Sequence, residues 1–207
     1  MMPPDTLAAF FVASLALGIA PGPDNLFVLT QATLHGARAG LIVTLGLCTG
    51  LLVHTAAVTL GLAALIRASD FAFAALKAAG AVYLLWLAWQ AFRAGAVRAA
   101  QAPAALTAGQ YYRRGIVMNV SNPKVTLFFL AFLPQFADPA RGALAPQFIV
   151  LGSVFIVATL LVFGAVALAA ARLGKWLARA PGAQALLNRV AALIFVALAA
   201  RLALASR

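Results

Sequence analysis

Apolar residues fall into six long runs along the chain, not into alternating stripes. A helix that crosses a bilayer needs roughly 20 mostly apolar residues. Runs of that length occupy 6–31, 41–66, 71–92, 115–136, 144–171 and 185–205. Turn and charge signals separate them: His35-Gly36-Ala37-Arg38, Arg67-Ala68-Ser69-Asp70, Arg93 to Arg114, Asp138-Pro139-Ala140-Arg141, and Arg172 to Gly182. The runs are apolar nearly all round, as helices in lipid are. A transmembrane barrel would show alternating segments of about ten residues, whereas Leu41–Ile66 is continuous. No Lys or Arg precedes Arg38, so a cleaved signal peptide with a basic start is not expected. The pattern predicts an all-α integral membrane protein built as a single membrane domain over 1–207. Residues 1–92 hold three spans, 93–114 form an Ala-rich linker with Pro103, and 115–207 hold three more.

Composition supports this and excludes other classes. Of the 207 residues, 65% are hydrophobic and 9% are charged, far from the roughly 25% charged of a soluble domain. Disorder needs the opposite balance. The net charge is +11, but apolar runs scatter the cations, so they form no nucleic-acid face. Cys48 is the one cysteine, which leaves neither a disulfide nor a thiolate metal cage. Sorted by loop, Arg38, Arg93, Arg98, Arg113, Arg114, Arg172, Lys175, Arg179 and Arg189 lie on one side. Arg67, Lys77, Arg141, Arg201 and Arg207 lie on the other, with Asp5, Asp70 and Asp138. The side richer in Lys and Arg is expected in the cytoplasm. The linker would then be cytoplasmic, and with six full spans both termini lie outside. Trp86, Trp89, Tyr111, Tyr112 and Trp176 fall near that cytoplasmic interface, as anchoring aromatics do.

Two runs are interrupted. The first contains Pro21-Gly22-Pro23-Asp24-Asn25, the fourth Asn119-Val120-Ser121-Asn122-Pro123-Lys124. Proline removes an amide donor and disfavours helix just before it, so each run is expected to be two half-helices. Pro23 suits a first helical turn, and Asn122 suits an N-cap. Pro23 and Pro123 stand 100 positions apart, each in the first run of its half. A duplicated three-span unit would look like this, and an odd span count would invert the copies. Inverted repeats with interrupted helices suit a secondary transporter. The broken ends then predict a polar cavity at mid-membrane. Asp24 and Lys124 follow the equivalent prolines and are expected to face that cavity, paired directly or through substrate. The alternative is a purely structural salt bridge. Gln31, Gln135 and Asn119 either line the path or bond between helices. His54 is either a packing residue or a proton relay. Gly46, Gly50, Gly61, Gly80, Gly152 and Gly164 are expected to allow close helix approach, and Cys48 to fill space.

These residues resemble a known family. Pro21-Gly22-Pro23-Asp24-Asn25-Leu26, Gly36-Ala37-Arg38-Ala39-Gly40, Gly46…Gly50…His54 and Asn119…Asn122-Pro123-Lys124 are similar to the motifs of the LysE/RhtB amino-acid exporters. Lys77…Gly80…Tyr83-Leu84 and Phe129-Leu130…Pro134-Gln135-Phe136 extend the likeness over nearly the whole chain. Ala88 stands where the family often has Gly. Leu51, Leu52 and Val53 fill a region where exporters of basic amino acids tend to carry an acid. The resemblance therefore implies efflux of neutral amino acids, coupled to protons, across the inner (plasma) membrane of a bacterium. It also admits a re-entrant first segment, with five full spans and a cytoplasmic N-terminus.

The implied partners are a small amino acid, protons and membrane lipid, without nucleic acid; a homo-oligomer stays open. No cofactor is implied, and no GxxxxGK[ST] motif offers an ATP site. An intramembrane enzyme lacks candidates for acid–base chemistry, since the chain has no Glu. A metal exporter would want more carboxylates or soft ligands. The remaining alternative is an exporter or flippase of a lipid or other solute bearing an anionic group.

Overall fold

The computed structural model describes residues 2–20, 22–62, 70–93, 104–177 and 181–204. Every regular element among them is helical. In chain order these are α1 (Pro4–Ile19), α2 (Pro23–His35), α3 (Ala37–Ala57), α4 (Asp70–Arg93), α5 (Ala108–Val120), α6 (Pro123–Leu127), α7 (Leu144–Leu177) and α8 (Pro181–Leu204). A π-helical turn, Val58–Leu62, continues α3. Another, Phe128–Phe132, continues α6 and passes into the 3-10 turn Leu133–Phe136. α1, α2, α6 and α8 all begin on proline, whose missing donor is harmless there and whose φ is preset for helix.

Both interrupted runs are bent. α1 meets α2 at 62°, and α5 meets Pro123–Phe136 at 48°. Three helical stretches are long and apolar enough to cross a membrane: Ala37–Gly61, Ala74–Arg93 and Leu144–Ala170. The number reaches five if each bent pair is one span. The run expected over 185–205 is helical as α8, but it is not among those five.

Two boundaries differ from expectation. Within the stretch expected as linker, residues 108–114 belong to α5. The reason is a capping box at Thr107: its hydroxyl accepts the Gln110 N–H, while the Gln110 side chain accepts the Thr107 N–H. Residues 94–103, with Arg98 and Pro103, lie outside the described residues. The other difference is α7, which runs through Leu177 and absorbs Arg172 and Lys175, expected in a break. Tyr111 is also a correction. It is buried, and its hydroxyl accepts the Leu106 N–H at 3.2 Å. Trp86, Trp89 and Tyr112 are exposed, as anchors would be; the Trp176 side chain lies outside those described.

Between helices in lipid, packing and small residues replace the hydrophobic drive that holds soluble cores. α3 and α7 lie at the centre: α3 packs on α5, α2 and α7, while α7 also packs on α1 and α2. α4 and α8 pair with each other. The larger core is built on Phe10, Phe128, Phe129, Phe132, Phe148 and Phe195. The smaller one gathers Val28, Val43, Leu47, Tyr111 and Phe163. The α3–α5 crossing depends on Gly46 and Gly115. A Cβ on either would meet the opposing backbone, the Tyr112 carbonyl for Gly46 and the Val43 carbonyl for Gly115. Gly50, Gly80 and Gly152 also stand against neighbours, but Gly61 and Gly164 have none within 4 Å among the described residues, contrary to expectation.

This difference is measurable. Gly46→Val should destabilise the protein by about 2 kcal/mol or more, as overpacking does, and lower its melting temperature in detergent. Gly164→Val should leave that temperature unchanged.

Candidate functional site

The site grows out of a backbone shortage. A helix leaves its last carbonyls without partners, and prolines at 21 and 23 remove two amide donors just beyond α1. Side chains take over. Lys124 Nζ donates to the carbonyls of Leu17 at 3.1 Å and Ala20 at 3.0 Å. Asn25 Nδ2 donates to the Gly18 carbonyl at 2.6 Å. The positive ammonium sits at the negative end of α1, the favourable sign for the helix dipole. It passes Gly22 so closely that a Cβ there would stand 3.0 Å from Nζ, which explains the glycine between the prolines. Pro21 itself lies outside the described residues.

The second break is closed in a related way. The Asn122 side chain caps α6 by accepting the Lys124 N–H at 3.0 Å, as its position before Pro123 predicts. The Asn119 carbonyl accepts the Asn122 N–H at 3.0 Å. His54 Nε2 reaches the same carbonyl from α3 at 3.1 Å, with its ring 5.5 Å from that of Phe129. Asn119 Nδ2 donates to Asp24 Oδ2 at 3.3 Å. Each residue that follows a break proline therefore reaches the other bent pair: Lys124 binds the end of α1, and Asp24 binds the end of α5.

Of the two forms of Asp24–Lys124 pairing expected from the sequence, direct or through substrate, the direct one is absent. No ion pair joins Asp24 to Lys124, whereas Arg141 pairs with Asp138 at 3.1 Å. The carbonyls of α1 hold the ammonium instead. Asp24 accepts one hydrogen bond within 3.5 Å, from Asn119, and its Oδ1 accepts none, although the Asn122 amide and the Lys124 ammonium lie near enough to act on its charge. Asn25 Oδ1, Asn119 Oδ1 and Asn122 Nδ2 are also buried without partners. Asp24, Asn119, Asn122 and Lys124 are each at most 4% exposed. Buried polar atoms without partners are costly and call for an explanation in function.

Asp24, Asn25, Asn119, Asn122, Lys124 and His54 are thus brought together, with Gly22, Pro23 and Pro123 shaping the breaks. Gln31 is buried on the Asp24 face of α2, seven residues farther along. Gln135 is not at the breaks: its amide donates to the Ala131 carbonyl, and it lines a separate cavity of about 440 Å³. A second cavity of about 400 Å³ opens between Leu45, Thr49, Leu52, Tyr112 and Ile156. Neither touches Asp24 or Lys124, which are buried together with Asn119 and Asn122. The Leu17, Gly18 and Ala20 carbonyls were missing from the residues picked out by sequence. Their only signal was the Pro-Gly-Pro that strips them of donors. Among the described residues, no group of three or more His, Cys, Asp or Glu is gathered for a metal.

Comparison with known proteins adds an independent line. The family model described as LysE type translocator matches residues 15–206. A homoserine/homoserine lactone efflux protein of Salmonella typhimurium is 35% identical over 94% of this chain and 94% of its own length. An uncharacterized membrane protein of Vibrio cholerae is 33% identical over 91% of each. A leucine efflux protein of Enterobacter sp. is 29% identical over 95% of this chain and 92% of its own length. No solved structure matches the chain.

The bracing makes a stability prediction. Lys124→Met leaves the Leu17 and Ala20 carbonyls unpaired and should cost about 2–6 kcal/mol, at roughly 1–3 for each stranded group. Asn25→Ala strands only the Gly18 carbonyl and should cost about half as much. Unfolding in mixed micelles would rank the two.

Proposed function

The chain belongs to the LysE-type translocator family, and we propose that it is a proton-coupled exporter of neutral amino acids. Family members are translocators, and the named relatives export homoserine, its lactone and leucine. Homoserine and leucine carry no side-chain charge, which supports the neutral class. The observation that carries the reading is the set of unpartnered buried atoms at the breaks. Asp24 Oδ1, Asn25 Oδ1 and Asn119 Oδ1 are three free acceptors, and an α-ammonium group has three donors. Asn122 Nδ2 has no partner within 3.5 Å and lies beside Asp24, so substrate binding at that carboxylate would turn it to the α-carboxylate.

Coupling follows from a single carboxyl doing two things. Asp24 can hold a proton or the substrate ammonium, but not both. A proton arriving from outside releases the amino acid, and loss of that proton to the cytoplasm readies the site again. Exchange of this kind is antiport. His54, bonded to the Asn119 carbonyl beside Asp24, is placed to pass that proton. Lys124 keeps the broken end of α1 in shape while the site changes access.

The full architecture in this reading is six spans in two inverted repeats. The α1–α2 pair corresponds to α5–α6, α3 to α7, and α4 to α8. The packing of α3 on α7 and α4 on α8 supports it, since a two-fold axis maps each of those pairs onto itself. Alternating access would rock one repeat against the other around the breaks. The membrane would be the inner membrane of a bacterium, with the nine-cation side in the cytoplasm.

Proteoliposomes test this. Labelled leucine, homoserine and threonine should show saturable counterflow that an imposed pH gradient enhances, while lysine and arginine should not compete. Asp24→Asn should reduce that flux by about 10- to 100-fold, the worth of a hydrogen bond to a charged group. Counterflow of no amino acid by folded protein would remove the reading.

A further inference from the structure

The ends of the two bent pairs that lie away from the breaks meet at a second polar region. The cavity of about 440 Å³ lies between the start of α1, the turn that ends the α6 run, and the last turn of α8. Its volume falls within the range of small-ligand sites, and an amino acid needs only part of it. Asp5 and Thr6 come from α1, Gln135 and Phe136 from the 3-10 turn, and Arg201 from α8.

The charges in this cavity are of both signs, and among the described residues two of them, Asp5 and Arg201, form no ion pair. Asp138 and Arg141 use each other at 3.1 Å. The Asp138 Oδ1 also accepts the Ala140 N–H. Gln147 fastens that wall, donating to the Asp138 carbonyl and accepting the Asp138 N–H, both at 2.9 Å. By contrast, Arg201 and Asp5 form no ion pair among the described residues. The Arg201 guanidinium lies 4.2 Å from the centre of the Phe136 ring and 5.9 Å from that of Phe132. Contact with the two rings holds the guanidinium at this wall, and such a contact does not itself use its N–H donors. A carboxylate on one wall and a stacked guanidinium on another, with a fastened third wall, match the two charges of a zwitterion.

The position fits as well. Asp5 and Leu17 are twelve residues apart on α1, or about 18 Å at 1.5 Å per residue. That is roughly half the thickness of a bilayer, hydrocarbon core and headgroups together. If the breaks lie at mid-membrane, the cavity lies at the surface. It is on the side that carries Asp5, Asp138, Arg141 and Arg201. The elements that line it are the same ones that carry the breaks: α1 has Asp5 at one end and the Lys124 acceptors at the other, and the α6 run has Lys124 at its start and Gln135 near its end.

We propose that this cavity is a second binding site, an outer vestibule that takes a zwitterionic amino acid, with Arg201 on its α-carboxylate and Asp5 on its α-ammonium. The choice of ligand rests on the exporter reading above; the geometry of the vestibule does not. The site would receive amino acid after its release at the breaks and would sense amino acid already outside.

The test is binding to the full chain in detergent by titration calorimetry, with three probes: L-leucine, L-leucine methyl ester and 4-methylpentanoate. The ester lacks the carboxylate, and the acid lacks the ammonium. Each variant is made both alone and on the Asp24→Asn chain, so that binding at the breaks is weakened in one series. Arg201→Gln should weaken leucine and 4-methylpentanoate by about tenfold or more, the scale of a charge-assisted bond, and should leave the ester unchanged. Asp5→Asn should weaken leucine and the ester and leave 4-methylpentanoate unchanged. Arg201→Lys, which keeps the charge, should recover part of the loss and guards against a folding defect. If Arg201→Gln weakens all three probes equally, or none, the vestibule is overturned. The crossed pattern without any counterflow in vesicles would support the vestibule and sink the exporter reading. Counterflow without the pattern would do the reverse.

Discussion

Backbone carbonyls inside a bilayer have no water to bind, so each must find a protein donor. That constraint organises this molecule. The Pro-Gly-Pro segment strands carbonyls at the end of α1, and the donors that rescue them come from Asn25 and from Lys124. Lys124 stands more than one hundred residues later in the chain. A lysine in a membrane is costly unless it is engaged, and here it is engaged by the carbonyls that need it. Two liabilities, an unpaired helix end and a buried ammonium, cancel.

The same exchange sets the chemistry available at the site. Because the α1 carbonyls occupy Lys124, Asp24 is spared a salt bridge and keeps a free oxygen. A carboxyl locked to a buried ammonium would be slow to trade partners. In the exporter reading proposed above, a carboxyl held by Asn119 at 3.3 Å is free to take a proton or a substrate amine. Beyond the break, Phe128–Phe132 is a π-helical turn that follows the helix bearing Lys124, with buried Phe128, Phe129 and Phe132 packed around it. π-Turns inside helices often accompany functional sites.

Much of this was legible in the chain. The paired prolines, the polar residues beside them and the apolar runs around them identified both breaks, the helix starts at Pro23 and Pro123, and the Asn122 cap. The family likeness was carried by the same residues. What failed had physical reasons. A direct Asp24–Lys124 contact, one of the two pairings expected, is absent because a match by charge ignores backbone acceptors, which carry no sequence signal of their own. The start of α5 was missed because an Ala-rich basic stretch hides the Thr107–Gln110 capping box. Gly61 and Gly164 were read as packing glycines, but periodicity in an all-apolar helix does not say which face meets a neighbour. Gln135 was grouped with the breaks by nearness in sequence, although the turns after Leu127 carry it to the far cavity.

The central claim is that Lys124 serves the α1 carbonyls and not Asp24. A double-mutant cycle on unfolding free energy, with Asp24→Asn and Lys124→Gln in protein free of substrate, addresses it directly. The account predicts a large effect of Lys124→Gln alone and a coupling energy under about 1 kcal/mol between the two. A coupling of about 3–5 kcal/mol, the cost of breaking a buried ion pair, would contradict it.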